Sequence, residues 1–254
     1  MAAPEWSETA MLVIDMQKDF ISAERGSPLL VAGGQAIVPT VIQAVAAARE
    51  RGILVIWVVR EHDRFGRDVE HFRRHFYSDG EGPTVKGCIG AELADGLAIA
   101  DGDYKLVKTR FSAFFATNLH HLLQGCGIKN LVVVGVQTPN CIRQTVFDAV
   151  ALDYHSVTLI SDATAAATPQ IHSENIRDMK NIGVAAPTLQ EWCSFDASSS
   201  SVSYSMLSQY HNFVCGSPSS SWLRTASKLA RMVPVLFLFL LYKNKTSTGD
   251  WLCF

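Results

Sequence analysis

The sequence has few charged residues and no strong excess of either sign. Only 18% of its 254 residues are Asp, Glu, Lys or Arg, and the formal net charge is -2. Without a run of Lys or Arg the chain lacks the basic surface that neutralises phosphates, which argues against nucleic acid as a partner. Because 48% of the residues are hydrophobic, wholesale disorder is excluded and a packed core is predicted.

Several motifs of large enzyme classes are also missing. No Gly-x-Gly-x-x-Gly opens a helix after the first predicted strand, since Gly33-Gly34 lacks a third glycine. The chain has neither a GxxxxGK[ST] phosphate-binding loop nor a Gly-x-Ser-x-Gly nucleophile elbow. These absences argue against a dinucleotide-binding enzyme, a P-loop NTPase and a serine hydrolase of the α/β-hydrolase type.

The cysteines form no CxxC pair, and the chain is too long to need disulfides for stability. We therefore expect reduced thiols at all six positions: Cys88, Cys126, Cys141, Cys193, Cys215 and Cys253. Residues 1–8 contain no basic segment followed by an apolar stretch, so no secretory signal is predicted. These features predict a cytoplasmic protein.

The composition changes after Cys193. Residues 1–193 hold 17 basic and 22 acidic residues with 8 serines, whereas residues 194–254 hold 5 basic and 2 acidic residues with 14 serines. The apolar block at 232–242 is only about half of the roughly 20 residues that a membrane-spanning helix needs. We predict one domain over residues 8–193 and a disordered, low-complexity tail over 194–254, with a membrane tail anchor as the less favoured alternative.

Within the predicted domain, short apolar runs alternate with stretches of helical periodicity. The runs predict strands at 11–15, 53–59, 106–107, 131–136, 157–160 and 182–184, and the periodic stretches predict helices around 37–45, 114–123, 141–152 and 171–179. Strands separated by helices are typical of an α/β fold with a parallel sheet. Ligands of such folds bind at the carboxyl ends of the strands.

Three reactive side chains come at or just after predicted strand ends, namely Asp15, Lys108 and Cys141. Each alone has an ordinary interpretation, as a turn-forming Asp, a solvated Lys or a small buried thiol. Together at one sheet edge, an acid, a cation and a thiol are the parts of an activated cysteine nucleophile. Because Pro139 and Asn140 are typical of a helix start, we expect the following helix to lower the pKa of the Cys141 thiol.

Four segments of the chain, in this order, resemble the isochorismatase-like cysteine hydrolases. This superfamily includes nicotinamidases, ureidoacrylate-type amidohydrolases and N-carbamoyl amidases, and the details are most similar to its plant nicotinamidase-like members. The similarity covers about residues 8–192 and rests on Leu-Val-Ile-Asp15-Met-Gln-Lys-Asp-Phe20, Lys108-Thr-Arg-Phe-Ser-Ala-Phe114, Val-Gly135-Val-Gln-Thr138-Pro-Asn-Cys141-Ile-Arg-Gln-Thr145 and Ser161-Asp162-Ala163.

The resemblance implies a three-layer α/β/α domain around a six-stranded parallel sheet. It also implies that Asp15, Lys108 and Cys141 are a catalytic triad, in which Asp15 takes the thiol proton, Cys141 attacks an amide carbonyl, and Lys108 holds the thiolate and the carboxylate in place. The oxyanion would accept hydrogen bonds from the backbone N–H groups of Gln137 and Cys141, next to a cis peptide bond between Val136 and Gln137.

The same resemblance predicts residues that contact the substrate. Phe20 corresponds to an aromatic pocket wall, and Arg110 to an arginine that faces a substrate carboxylate in several amidohydrolase branches. His62 and Thr138 are further candidates for the pocket. The interpretation of Phe20 as an ordinary core residue and of Arg110 as a surface residue stays open at this point.

The metal motif of the metal-dependent nicotinamidases is not intact. Those enzymes carry Asp-x-His after the second strand, where this chain has Glu61-His62-Asp63. His71 and His75 have the i, i+4 spacing of some zinc ligands, but arginines surround them. We therefore predict no metal and no cofactor.

The leading hypothesis is a cysteine-dependent hydrolase of a small amide, ureide or carbamoyl compound that works through a thioester. Its partner would be that small molecule, and family members are commonly homo-oligomers. The alternative is a catalytically inactive nicotinamidase-like protein that serves as a binding or scaffold protein. The leading hypothesis covers these three classes of substrate equally.

Overall fold

The computed structural model describes residues 6–194. Within these residues the main strands and α-helices are, in chain order, β1 (Thr9–Ile14), α1 (Lys18–Ile21), α2 (Gly34–Glu50), β2 (Leu54–Arg60), β3 (Tyr104–Lys108), α3 (Leu119–Gly125), β4 (Asn130–Val136), α4 (Arg143–Ala151), β5 (Ser156–Ala165) and α5 (Pro169–Asn181). A further helical segment begins at residue 189. The predicted tail at 194–254 lies, apart from its first residue, outside the described residues.

The five strands form one parallel sheet in the order β3-β2-β1-β4-β5. The central strand β1 is buried at all six positions, as expected for a parallel strand covered on both faces. Its last residue, Ile14, pairs with Val58 of β2 and with Gly135 of β4. The carboxyl ends of these three strands therefore lie side by side.

Helices cover both faces of the sheet and produce three layers. Along β1 the side chains alternate, because Met11 and Val13 pack in the apolar cluster that includes α2, whereas Leu12 and Ile14 pack in the cluster that includes α3, α4 and α5. Each cluster joins strand side chains to the apolar stripe of helices. The predicted three-layer α/β/α architecture is confirmed.

The sheet has five strands among the described residues, so the prediction of six strands is corrected to five. Residues 182–184 use their N–H groups to close the C-terminus of α5, as in the bond from Val184 to the carbonyl of Met179. The contacts with β5 come after this run. Ala185 forms one bridge to Thr158, and the carbonyl of Pro187 accepts the N–H of Ser161 at 2.8 Å. The apolar run itself is therefore the end of a helix.

Two predicted helices begin differently from what their apolar spacing suggests. The helix expected from Phe114 begins only at Leu119, because Ala116 adopts a positive φ of 53° and the Thr117 hydroxyl accepts the N–H of Leu119. The helix expected from Cys141 begins with a π-helical turn over Thr138–Ile142, and α4 follows it. Both differences lie next to the candidate site.

No helix in the described part of the chain is long and apolar enough to cross a membrane. Within the same part, Cys88, Cys126, Cys141 and Cys193 are free thiols. The other two cysteines, Cys215 and Cys253, belong to the segment outside the described residues.

Candidate active site

The fold brings Asp15, Lys108 and Cys141 to one edge of the sheet. Asp15 directly follows β1 with a φ of 52°, and its N–H continues the ladder by a 2.9 Å bond to the carbonyl of Val58. Lys108 is the last residue of β3. Cys141 lies in the π-helical turn that follows β4. The three residues thus follow three strands of one parallel sheet.

Asp15 and Lys108 form a buried ion pair. The Lys108 Nζ lies 2.9 Å from the Asp15 Oδ2 and also donates to the carbonyl of Arg110 at 3.1 Å. Both side chains are at most 1% exposed. The other carboxylate oxygen, Asp15 Oδ1, is buried and has no hydrogen-bond partner among the described residues. This oxygen is available to accept a proton.

The Cys141 thiol is buried, and its pKa differs from the sequence expectation. The residue is 4% exposed, and burial followed by the negative charge of Asp15 raises the pKa of the thiol, although Lys108 and Arg60 oppose this. The expected lowering by a helix N-terminus is therefore wrong in direction. Here desolvation of the anion is the largest cause, and together with Asp15 it exceeds the opposing effect of the two cations.

Short hydrogen bonds fix the turn that carries Cys141. The Thr145 hydroxyl donates to the carbonyl of Cys141 at 2.6 Å and accepts the N–H of Ala113 at 3.0 Å. The carbonyl of Gln137 accepts the N–H of Asn140 at 3.0 Å. The peptide bond between Val136 and Gln137 is cis, at the position where the resemblance implied one.

Arg60 is the functional candidate that the sequence analysis missed. It ends β2 at the same sheet edge, and its side chain is 0% exposed. The guanidinium lies 3.8 Å from the Cys141 Sγ through Nη2 and 3.8 Å from the Asp15 Oδ2 through Nε. The available signal was an arginine at the end of an otherwise apolar strand, which looks like an ordinary exposed strand end in a sequence.

A carboxylate and a second arginine complete the charged group around Arg60. Glu70 accepts from Arg60 at 2.9 Å and 3.2 Å with its two oxygens, the bidentate geometry typical of strong arginine–carboxylate pairs. Burial alone would raise the pKa of Glu70, but the hydrogen bond and charge of Arg60 hold it below the ordinary value. Arg73 lies 3.5 Å from the same carboxylate.

His62 is held as a neutral ring beside this group. Its Nε2 lies 3.3 Å from the Arg60 Nη1, and its Nδ1 lies 3.2 Å from the Asp68 Oδ1. Burial and the charge of Arg60 lower the pKa of His62 to about 4. The predicted pocket residue is therefore a neighbour of Arg60.

The remaining predicted substrate residues have other contacts. Arg110 donates to the carbonyls of Asp68 and Thr109, and the Thr138 hydroxyl lies 2.8 Å from the His172 Nδ1. Phe20 is buried in the cluster that includes α2, whereas Cys141 belongs to the opposite cluster. The roles of these side chains toward a substrate stay predictions.

The residues near Cys141 do not fit a divalent cation. Within residues 6–194, no three His, Cys, Asp or Glu side chains are grouped closely enough to hold a metal. The Nε2 of His62 faces the guanidinium of Arg60, so a second positive charge there would be repelled. His71 and His75 lie on a 3-10 helical segment, His71–Tyr77, where side chains four apart do not align.

Comparison with known proteins gives the same assignment as the fold. A profile of the Isochorismatase domain matches residues 9–191. The chain belongs to this family. The curated "Probable inactive nicotinamidase" of Arabidopsis thaliana is 68% identical over 192 residues, which cover 75% of this chain and 97% of the relative. A ureidoacrylate amidohydrolase of an Enterobacter species is 34% identical over 186 residues, covering 66% and 79%.

Solved structures of the family have the same fold. An isochorismatase family protein from Desulfovibrio vulgaris is 41% identical with a TM-score of 0.71, and the match covers 76% of this chain and 98% of that one. A pyrazinamidase of Pyrococcus horikoshii in complex with zinc is 26% identical with a TM-score of 0.60, covering 71% and 99%. The relatives of this chain thus include an amidohydrolase and a protein described as probably inactive.

Proposed function

We propose that this isochorismatase-family protein is a cysteine-dependent amidohydrolase that cleaves a small amide, ureide or carbamoyl compound through a thioester on Cys141. The observation that carries this proposal is the buried Asp15–Lys108 pair beside a buried thiol at the carboxyl edge of the sheet. A nucleophile, a base and a group that orients the base are the parts that acyl transfer requires.

The raised pKa of Cys141 means that the resting group is a thiol, so a base must act first. Asp15 can take the proton on Oδ1, because Lys108 binds its other oxygen. The thiolate then attacks the carbonyl carbon of the substrate. The resulting oxyanion would be stabilised by the N–H groups of Gln137 and Cys141.

The remaining steps release the amine and the acid and regenerate the free Cys141 thiol. Asp15 protonates the departing nitrogen, the carbon–nitrogen bond breaks, and ammonia or an amine leaves a thioester on Cys141. Water loses a proton to Asp15 and attacks the thioester carbonyl. The carbon–sulfur bond then breaks, the acid departs, and the sulfur regains its proton.

A catalytically inactive binding protein is the second candidate. The Arabidopsis relative described as probably inactive is 68% identical, and the Arg60 guanidinium lies against the Cys141 sulfur. In this alternative the site would bind a small molecule without turning it over.

Ammonia release by the purified full-length chain separates the two candidates. The assay uses primary amides, acyl ureas and N-carbamoyl amino acids, with Cys141→Ala as the test variant and Cys126→Ala, at an exposed cysteine, as the matched control. We expect Cys141→Ala to lose at least about a thousandfold in kcat and Cys126→Ala to retain activity. Binding without ammonia release across all three substrate classes would support the alternative.

A further inference from the structure

One permanent cation is in contact with the candidate nucleophile. The Arg60 Nη2 approaches the Cys141 Sγ to 3.8 Å, within the range of a hydrogen bond to sulfur. Burial alone would lower the pKa of Arg60, but Cys141 in its ionised form and the carboxylates of Asp15 and Glu70 raise it above its ordinary value. The guanidinium is therefore charged at every pH at which the protein is folded.

The position of this guanidinium is fixed from several sides. Glu70 binds two of its nitrogens, and the ring of Phe111 lies 5.6 Å from its central carbon. The Gln17 side chain accepts the backbone N–H of Arg60 and donates to its carbonyl, both at 2.7 Å. A side chain held in this way loses no further entropy when a negative charge forms next to it.

The charges around Arg60 do not balance. The three cations Arg60, Arg73 and Lys108 face two carboxylates, Glu70 and Asp15, and Arg60 contacts both of these. This leaves an excess positive charge beside the thiol. Lys108 is already engaged by Asp15 at 2.9 Å and by a backbone carbonyl. When the proton passes from Cys141 to Asp15, the negative charge moves from the carboxylate to the sulfur, 3.8 Å from the Arg60 Nη2, where the guanidinium can stabilise it.

We propose that Arg60 is a further functional residue of this site, whose guanidinium stabilises the Cys141 thiolate at the moment when Asp15 has taken the proton. The proposal rests on the function proposed above, in which Cys141 is the nucleophile. Lys108, which holds Asp15, lowers the pKa of the thiol as well, so Arg60 acts beside Lys108 on the sulfur. Arg60 also lies on the side of the site where His62 lies.

The test measures the ionisation of Cys141 itself. The ultraviolet absorbance of the thiolate is titrated against pH in the full-length chain, and the curve of the same protein with Cys141→Ser is subtracted. The test variant is Arg60→Gln/Glu70→Gln, because two amides can hydrogen-bond to each other in place of the ion pair. Arg73 loses the Glu70 carboxylate in this variant and in the control alike, so that loss does not distinguish them. The control is Glu70→Gln alone, which removes the same carboxylate and keeps the guanidinium.

We expect the midpoint for the double variant to lie about one to two pH units above that of Glu70→Gln, since a cation within about 4 Å shifts an acid by this amount. Apart from Arg60, the double variant and Glu70→Gln have the same charged groups around the sulfur, namely Asp15, Lys108 and Arg73. Circular dichroism at each pH confirms that the proteins are folded. Coinciding midpoints would overturn the proposal and leave Arg60 a structural residue.

A second variant covers the case in which the double variant does not fold. Arg60→Lys keeps the charge but cannot span both Glu70 oxygens and the sulfur, so we expect a smaller upward shift against the wild type. An unchanged midpoint in Arg60→Lys would then count against the proposal. The titration needs no substrate. An unshifted midpoint therefore refutes the role of Arg60, whereas failure of the ammonia assay refutes the proposed function.

Discussion

At the scale of single residues, Lys108 and Lys105 show how burial decides the value of an ion pair. Both lie on β3, but Lys108 is buried against Asp15, whereas Lys105 is 44% exposed and pairs with Glu61 at the surface. Lys108→Met leaves a buried carboxylate without its main partner, so we expect a loss of about 3–5 kcal/mol in the free energy of unfolding.

The matched variant Lys105→Met should lose only about 0–1 kcal/mol, because solvent screens the pair that it removes. Urea denaturation of the full-length proteins measures both values. Equal losses in the two variants would show that the Asp15–Lys108 pair does not have the buried environment described above.

The low pKa of His62 predicts a dependence of stability on pH. The unfolded histidine titrates near pH 6.5 and the folded one near 4, so between these values only the unfolded chain binds the proton. The free energy of unfolding should therefore fall as the pH is lowered through this window, by up to about 1.4 kcal/mol per pH unit for this one proton.

His62→Gln removes this proton from the balance. Denaturation curves at a series of pH values should show a shallower pH dependence for the variant than for the wild type between about pH 4 and 6.5. An identical slope for the two proteins would mean that His62 is protonated in the folded state.

The residues of the site differ in how well the sequence reveals them. Asp15, Lys108 and Cys141 were predicted because each lies at a strand end and within a family motif. Arg60 was missed, since one arginine after an apolar strand has no pattern of its own and its partner Glu70 lies on a loop. The direction of the Cys141 pKa was wrong, because the depth of burial depends on the layers around the turn.

At the scale of elements, Gly135 determines how closely β4 approaches β1. Its φ is 113°, and a Cβ at this position would lie 2.1 Å from the carbonyl oxygen of Ile14. Gly135→Ala should therefore cost about 3 kcal/mol or more in the free energy of unfolding, from backbone strain and from overpacking against backbone. The displacement would also reach the neighbouring residues Asp15 and Gln137.

The control for this variant is Gly125→Ala at the end of α3. Gly125 has no positive φ, and a Cβ there meets nothing within 4 Å, so its substitution should change stability by less than about 0.5 kcal/mol. Thermal or urea unfolding compares the two. Equal stability of both variants would contradict the close approach of β4 to β1.

The elements were predicted best where hydrophobic periodicity alone decides them. β1, β2 and β4 are continuous apolar runs, and the structure forms all three. The run at 182–184 is equally apolar but closes α5, because a run of three residues does not reveal which hydrogen bonds it will make. The start of α3 at Leu119 depends on the Ala116 backbone and the Thr117 hydroxyl, which periodicity does not report.

At the scale of the whole molecule, the domain bounds predicted from the sequence and the bounds of the family match nearly coincide. The domain predicted over residues 8–193 contains the matched residues 9–191, and the sheet and site lie inside it. The disorder predicted for 194–254 concerns residues almost entirely outside the described part, so it stays a prediction. The chemistry proposed for this chain is carried by the domain.

The most direct measurement of the proposed function is the mass of Cys141 during turnover. The full-length protein is mixed with the amide that it hydrolyses best, quenched in acid within the turnover time, and digested for mass spectrometry. We expect the peptide that contains Cys141 to gain the mass of the substrate acyl group, and Cys141→Ala to show neither this gain nor ammonia release. Ammonia release that persists in Cys141→Ala, without an acyl group on the wild-type peptide, would contradict the thioester mechanism.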